Sequence, residues 1–174
     1  MFLLVAAIAA TTMFLPLLLP EHYLIGLLLV PPLLLKMATT GYRFLRYYTR
    51  SAAYRLAGPP PVLLQLAVAP ILVASTVAVF ASGIELWLFG LRFGSGWMTA
   101  HTLSAVLFTL AVGAHMVGHL RRSAEATVEE LGSPAPRSAF TRRSLVTASV
   151  LLGAVLAAVS LLYATPFPAG AAGA

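Results

Sequence analysis

The stretch Trp97–Arg122, WMTAHTLSAVLFTLAVGAHMVGHLRR, is apolar enough and long enough to form a helix across a lipid bilayer. It carries three of the chain's four histidines, His101, His115 and His119. An α-helix turns about 100° per residue, so positions 101 and 119 point the same way and position 115 lies about 40° away. The sequence therefore predicts a row of imidazoles on one helix face. In a membrane such a face usually lies toward the bundle interior and serves function.

The composition excludes a soluble domain. Of the 174 residues, 60% are hydrophobic and only 9% are charged, which is typical of a polytopic α-helical membrane protein. The chain has no cysteine, so thiolate ligation, catalytic thiols and covalent c-type haem attachment are excluded. Histidine, methionine or oxygen atoms must hold any metal or haem. The net charge of +6 is better explained by basic cytoplasmic loops than by binding to nucleic acid.

The apolar runs predict an all-α fold, a bundle of about five transmembrane helices forming a single domain over residues 1–174. The predicted helices are 2–19, 22–38, 62–88, 97–120 and 144–163, with an amphipathic interfacial helix at 42–56. Pro31 and Pro32 interrupt the second helix, so we expect the backbone carbonyls that they leave without a donor to face neighbouring helices. A cleaved signal peptide is the alternative for the first segment, although no basic residues precede it.

The basic residues predict the orientation. Two loops carry five each, and the loop between the third and fourth helices carries only Arg92; the ten are Lys36, Arg43, Arg46, Arg50, Arg55, Arg121, Arg122, Arg137, Arg142 and Arg143. Because short cytoplasmic loops are enriched in Lys and Arg, we expect the N-terminus in the cytoplasm and the C-terminus outside. The preference for arginine over lysine is a hint of a GC-rich bacterial genome. The expected location is a bacterial plasma membrane.

Counting depth along the helices pairs two histidines. His22 and His101 both lie near the outer end of their helices and reach similar depths, so their imidazoles can bind the two faces of one haem b. His115 and His119 lie near the inner end, where their i, i+4 spacing suits one compact metal ion but offers no third protein ligand. A second haem at His115 would need a ligand from elsewhere, because the second helix offers only Lys36 at that depth.

Charged residues near these positions allow two interpretations each. Arg43, from the inner side, or Arg92, from the outer side, could bind haem propionates, although such arginines more often contact lipid headgroups. Glu85 could exchange protons with a quinone, or it could be an interfacial carboxylate near Arg92. No Walker-type loop, Ser/His/Asp arrangement or H-E-x-x-H motif appears, which argues against a self-contained hydrolase.

The 14-residue spacing from His101 to His115 resembles that of the ligand helices of di-haem membrane cytochromes b. The chain over about residues 20–122 also resembles a group of bacterial integral membrane proteins that look like cytochrome b subunits of dehydrogenases and hydrogenases. The motifs that carry this second resemblance are His22-x3-Gly26, Pro31-Pro32-x3-Lys36, Thr40-Gly41-Tyr42-Arg43-Phe44, Tyr47-Tyr48 and Gly58-Pro59-Pro60.

The resemblance implies a b-type cytochrome that passes electrons between the quinone pool and a redox partner subunit. It implies an electron-transfer subunit in the lipid bilayer rather than a stand-alone enzyme. One haem is expected at His22 and His101, and His115 is the candidate ligand of a second. The alternative is a non-redox membrane protein, a transporter-like or scaffold subunit, whose histidines serve proton relay, metal binding or packing.

Overall fold

The computed structural model describes residues 2–49, 68–132 and 137–163. Within these ranges, the side chains of Phe2, Pro16 and residues 119–132 and 137–139 lie outside the description. The described chain is helical, without a strand, which confirms the predicted all-α class. Its helices are α1 Phe2–Thr12, α2 Leu15–Tyr48, α3 Ala69–Phe89, α4 Gly96–Gly132 and α5 Arg137–Ser160.

Four of these helices contain segments long and apolar enough to cross a membrane: Leu17–Tyr48, Ala69–Phe89, Gly96–Gly118 and Phe140–Ser160. The chain is therefore a multi-pass membrane protein. With 11 residues, α1 is about 16 Å long, roughly half the thickness of a hydrocarbon core. It packs on α2 as the short arm of a helical hairpin.

The first predicted helix, residues 2–19, is in fact divided. The chain leaves α1 through i−3 hydrogen bonds from Met13 N to Ala10 O and from Phe14 N to Thr11 O, each 3.2 Å long. Pro16 then occupies the first turn of α2. Proline is favoured there, because the first turn of a helix needs no N–H donor and proline fixes a helical φ. Pro16 thus helps to begin a helix, whereas the sequence suggested that it lay near the end of one.

Two predicted loops are also shorter than expected. Residues 42–48, assigned from the sequence to a separate interfacial helix, continue α2, and the rest of that prediction, from residue 50, lies outside the described residues. At the other loop, α4 continues to Gly132 and α5 already begins at Arg137. The helix breakers Pro31 and Pro32 do not end α2; its one non-helical residue is Leu18 (φ −113°, ψ 23°), two residues before Pro20.

One turn before Pro32, α2 and α5 approach each other closely. Because proline has no N–H, the Leu28 carbonyl four residues earlier lacks its helical donor. This carbonyl lies against Gly153 of α5, at a place where a Cβ atom would collide with the Leu28 oxygen. Both Pro32 and Gly153 are buried. The proline face therefore points at a neighbouring helix, as the sequence predicts, and a glycine lets the helices meet there.

The helices form two packed groups. In one, α2 packs against α1 and α5; in the other, α3 packs against α4 across the tight connection Gly90–Ser95, in which Gly90 and Gly94 have positive φ (61° and 99°). Among the described residues, α2 touches α3 but shares no extended interface with α4. At one end of the bundle, the Tyr163 hydroxyl after α5 donates a 2.9 Å hydrogen bond to Leu88 O of α3.

We expect Gly153→Ala to destabilise the protein by about 1–3 kcal/mol, because its Cβ must push α5 away from the Leu28 carbonyl. Thermal unfolding in detergent, followed by circular dichroism, measures the effect. Gly113→Ala on α4 is the matched control, since no atom of the described residues lies within 4 Å of its Cβ position and alanine favours helix. Equal melting temperatures for the two variants would contradict this account of the α2–α5 contact.

Candidate functional site

His22 of α2 and His101 of α4 meet at one end of the bundle. Their ring centroids are 6.2 Å apart and their planes are nearly perpendicular, at 87°. Both side chains are half-buried, and they reach toward each other from helices that otherwise do not pack together among the described residues. The structure thus brings together the two histidines that depth counting places at one level.

The α3 helix holds the His101 imidazole from one side. The Nδ1 atom of His101 lies 3.0 Å from Val79 O and 3.2 Å from Ser82 Oγ. A carbonyl oxygen only accepts hydrogen bonds, so Nδ1 carries the hydrogen and donates it. The Ser82 hydroxyl donates its own hydrogen to Ala78 O at 2.6 Å and therefore also acts as an acceptor toward His101. Consequently Nε2 of His101 keeps an unprotonated lone pair.

The α1 helix holds the His22 imidazole in the same way. Thr11 Oγ1 lies 2.8 Å from His22 Nδ1. The hydroxyl also donates a 2.6 Å hydrogen bond to Ile8 O. We assign the single hydroxyl hydrogen to Ile8 O, so that Thr11 accepts from His22 and Nδ1 carries the imidazole hydrogen; the Ile8 carbonyl, which can only accept, is a second acceptor for the same ring. Both imidazoles are therefore anchored through Nδ1 and keep Nε2 for a ligand, which is how metal-binding histidines are usually oriented.

Gly83 is the residue that gives His101 its room. A Cβ at this position would lie 2.9 Å from Cε1 and 3.3 Å from Nδ1 of the imidazole. Real Cβ atoms essentially never come this close, so only glycine allows the ring to lie against the α3 backbone. The close approach in turn permits the hydrogen bonds from Nδ1 to the preceding turn of α3.

The other predicted ligands lie away from this pair. His115 is half-buried and follows His101 by about 21 Å along α4, and the side chain of His119 lies outside the described residues. In the described part of the chain, no three His, Cys, Asp or Glu side chains come together as a metal site. Lys36, the residue of α2 at the depth of His115, is exposed.

The two candidate arginines are exposed at opposite ends of the bundle. Arg43 follows His22 by 21 residues of continuous helix, or about 31 Å, which is too far to contact a group held by the histidine pair. Arg92 lies in the α3–α4 connection, at the same end as His101, with its guanidinium 5.8 Å from the Phe93 ring centroid. Of the two, only Arg92 has a position from which it could reach that group.

Glu85 of α3 has a buried carboxylate. Both of its oxygens are inaccessible to solvent, and neither accepts a hydrogen bond from any described residue. The guanidinium of Arg92 does not pair with it but lies over Phe93. The interpretation of Glu85 as an interfacial partner of Arg92 therefore lacks the expected contact between these two described side chains.

The sequence did not single out Thr11, Val79, Ser82 or Gly83. Hydroxyls in apolar helices commonly bond to their own helix and carry no mark of a second partner, and a carbonyl carries no sequence signal at all. Only Gly83 offered a hint, as a glycine inside an apolar run that ends near the histidine level.

Comparisons with protein-family models, curated proteins and solved structures returned no match for this chain.

We expect Glu85→Leu to raise the stability of the protein by about 1–3 kcal/mol, because burying a carboxylate without a donor is costly. The melting temperature in detergent measures the effect. The control is Glu21→Gln, which changes an exposed glutamate near the same end and should leave stability within about 0.5 kcal/mol. A melting temperature lowered by Glu85→Leu would show that the carboxylate makes a stabilising contact.

Proposed function

We propose that this chain is a b-type membrane cytochrome, with one haem held between His22 and His101, that passes electrons between the quinone pool and a redox partner subunit. The observation that carries the proposal is the imidazole pair. Two rings from different helices face one another inside a membrane protein, each anchored through Nδ1 and each with Nε2 available.

The separation of the rings suits a shared iron. Two imidazoles that bind one metal ion from opposite sides, each at about 2.0–2.1 Å, have ring centres roughly 6.2–6.5 Å apart. The observed distance is 6.2 Å. A perpendicular pair would satisfy this arrangement with both ring planes containing the axis through the metal. The donor set is also suitable, since two neutral imidazoles are common axial ligands of b-type haem.

The packing supports the same assignment. A haem between His22 and His101 must lie between α2 and α4, and these are the helices that share no extended interface among the described residues. In this arrangement, α2 supplies one ligand and α4 the other, while α1 and α3 orient the rings from behind. Arg92, at the same end, would bind propionates. The haem itself would supply the one-electron chemistry.

The chain's own charges fit the predicted orientation in the bacterial plasma membrane. Arg43 and Arg46 lie toward the end of α2, and Arg142 and Arg143 lie near the start of α5. Since α2 and α5 are antiparallel, all four lie at the end opposite the histidine pair. With that end in the cytoplasm, the haem would lie toward the outer surface. For a second haem, the described residues supply one candidate ligand, His115.

A non-redox role is the second candidate. The geometry of the two imidazole rings is also that of a direct packing contact. Edge-to-face rings pack with centroids about 4.5–7 Å apart, and the distance between His22 and His101 falls in this range. In that case the two histidines would join the two helix groups without a cofactor. The two candidates differ in whether an iron lies between the Nε2 atoms, and a spectrum separates them.

We expect the protein purified in detergent from haem-supplied cells to show a b-type α-band in its reduced-minus-oxidised spectrum. A pyridine haemochrome should give about one haem per chain. His101→Ala should abolish the band because it removes one axial nitrogen, whereas the matched variant His115→Ala should keep it. A folded but colourless wild-type protein would refute the cytochrome assignment and support the packing role. A ratio near two, halved by His115→Ala, would reveal a second haem.

Gly83→Ala should preserve the fold but weaken haem binding, by about tenfold or more, because the new Cβ displaces the His101 ring from its acceptors on α3. Haem titration of the haem-free protein measures the affinity. Gly41→Ala serves as the control, since a Cβ at that helical glycine meets no atom within 4 Å in the part of the chain that the structure describes. Unchanged affinity in Gly83→Ala would mean that the close approach of His101 to α3 does not position a haem ligand.

A further inference from the structure

We propose that α1 is a positioning helix for the haem ligand His22, and that it acts through the hydroxyl of Thr11. The inference rests on the proposed haem site and adds a residue that sets the properties of one axial ligand. Thr11 would not touch the iron or the haem. It would fix which ring nitrogen of His22 carries the hydrogen and which faces the metal.

The burial and bonding of Thr11 carry this proposal. Thr11 is only 7% exposed, although it lies at the end of a short helix. Its hydroxyl stands between Ile8 O at 2.6 Å and His22 Nδ1 at 2.8 Å. With its hydrogen on the carbonyl, the oxygen presents only lone pairs to the imidazole. His22 therefore keeps the tautomer that leaves Nε2 unprotonated.

Among the described residues, the main packing partner of α1 is α2. With 11 residues, α1 is too short to cross the hydrocarbon core. In the described structure, its one extended interface is with α2. Within this contact Ile8 lies against Gly26, with the Ile8 Cδ1 atom 3.5 Å from the Cβ position of the glycine. Nearer the end of α1, Thr11 meets His22. The polar end of the hairpin thus coincides with the proposed ligand.

The two imidazoles are held unequally. His101 donates to Val79 O, an acceptor that no side-chain substitution can remove, with Ser82 as a second acceptor. The nearest acceptor of His22 is the side-chain hydroxyl of Thr11, which one substitution can delete, and the Ile8 carbonyl is a second acceptor beside it. An acceptor on the distal ring nitrogen makes an imidazole a stronger donor to the metal and stabilises ferric over ferrous iron. Loss of the Thr11 oxygen should therefore raise the midpoint potential.

The test compares Thr11→Val, which deletes the hydroxyl and keeps the shape, with Thr11→Ser, which keeps the hydroxyl. Thr12→Val is the matched control, because Thr12 makes the same kind of bond to its own helix, 2.6 Å to Ala9 O, but is exposed. The first measurement is the ¹⁵N NMR spectrum of histidine-labelled, haem-free protein, with the His22 signals assigned from a His22→Ala sample. The second is the haem affinity and midpoint potential of the loaded protein.

We expect Thr11→Val to lose the pure Nδ1–H form of His22, to bind haem about 10–100-fold more weakly and to have a higher midpoint potential. Thr11→Ser and Thr12→Val should resemble the wild type in all three respects. If Thr11→Val and Thr12→Val give the same His22 tautomer, the inference is wrong, whatever the haem content. A wild-type protein without an α-band would instead refute the proposed function, while the tautomer measurement would still decide the role of Thr11.

Discussion

A backbone or side-chain polar group inside a bilayer must find its partner within the protein, because hydrocarbon offers none. The hydroxyls of this chain meet that requirement locally: Thr11, Ser75, Thr76, Ser82, Ser104 and Ser160 are all buried, and each donates to a carbonyl three or four residues earlier in its own helix. A hydroxyl whose hydrogen is used in this way presents only lone pairs to its surroundings. It becomes an acceptor, and an imidazole N–H is the group that needs one. The orientation of both histidines follows from this constraint.

The same constraint explains the shape of α2. Pro31 and Pro32 remove two backbone donors from the middle of a membrane helix, and the helix nevertheless continues from Leu15 to Tyr48. The missing donor at Pro32 leaves the Leu28 carbonyl without its helical hydrogen bond. This carbonyl lies against Gly153, which has no side chain to keep it away. A Cα–H group can act as a weak donor to such an oxygen. The proline and the glycine, 121 positions apart in the chain, are thus parts of one contact.

Sequence reasoning succeeded for features that depend on one helix alone, namely its apolar character and the depth of each residue along it. Apolar runs gave the all-α class, and counting residues from the helix ends placed His22 and His101 at one level, where the structure brings them together. It failed at Pro16 and at the two loops, because proline begins helices as well as ending them and polar residues can extend a membrane helix beyond the bilayer. It also missed Thr11, Ser82 and Gly83. Helical periodicity states which residues share a face, but it does not state which residues of another helix lie opposite.

The division of the bundle gives the histidine pair its significance. The buried leucine and alanine side chains that the structure describes fall into two sets: Leu27 and Leu29 on α2, and Leu86 and Ala111 on α3 and α4. One imidazole belongs to each group of helices, and each is oriented by a helix of its own group, α1 for His22 and α3 for His101. A ligand bound to both Nε2 atoms would therefore join two units that are otherwise connected by few contacts. Its binding energy would add directly to the stability of the assembled bundle, since neither unit alone offers the complete site.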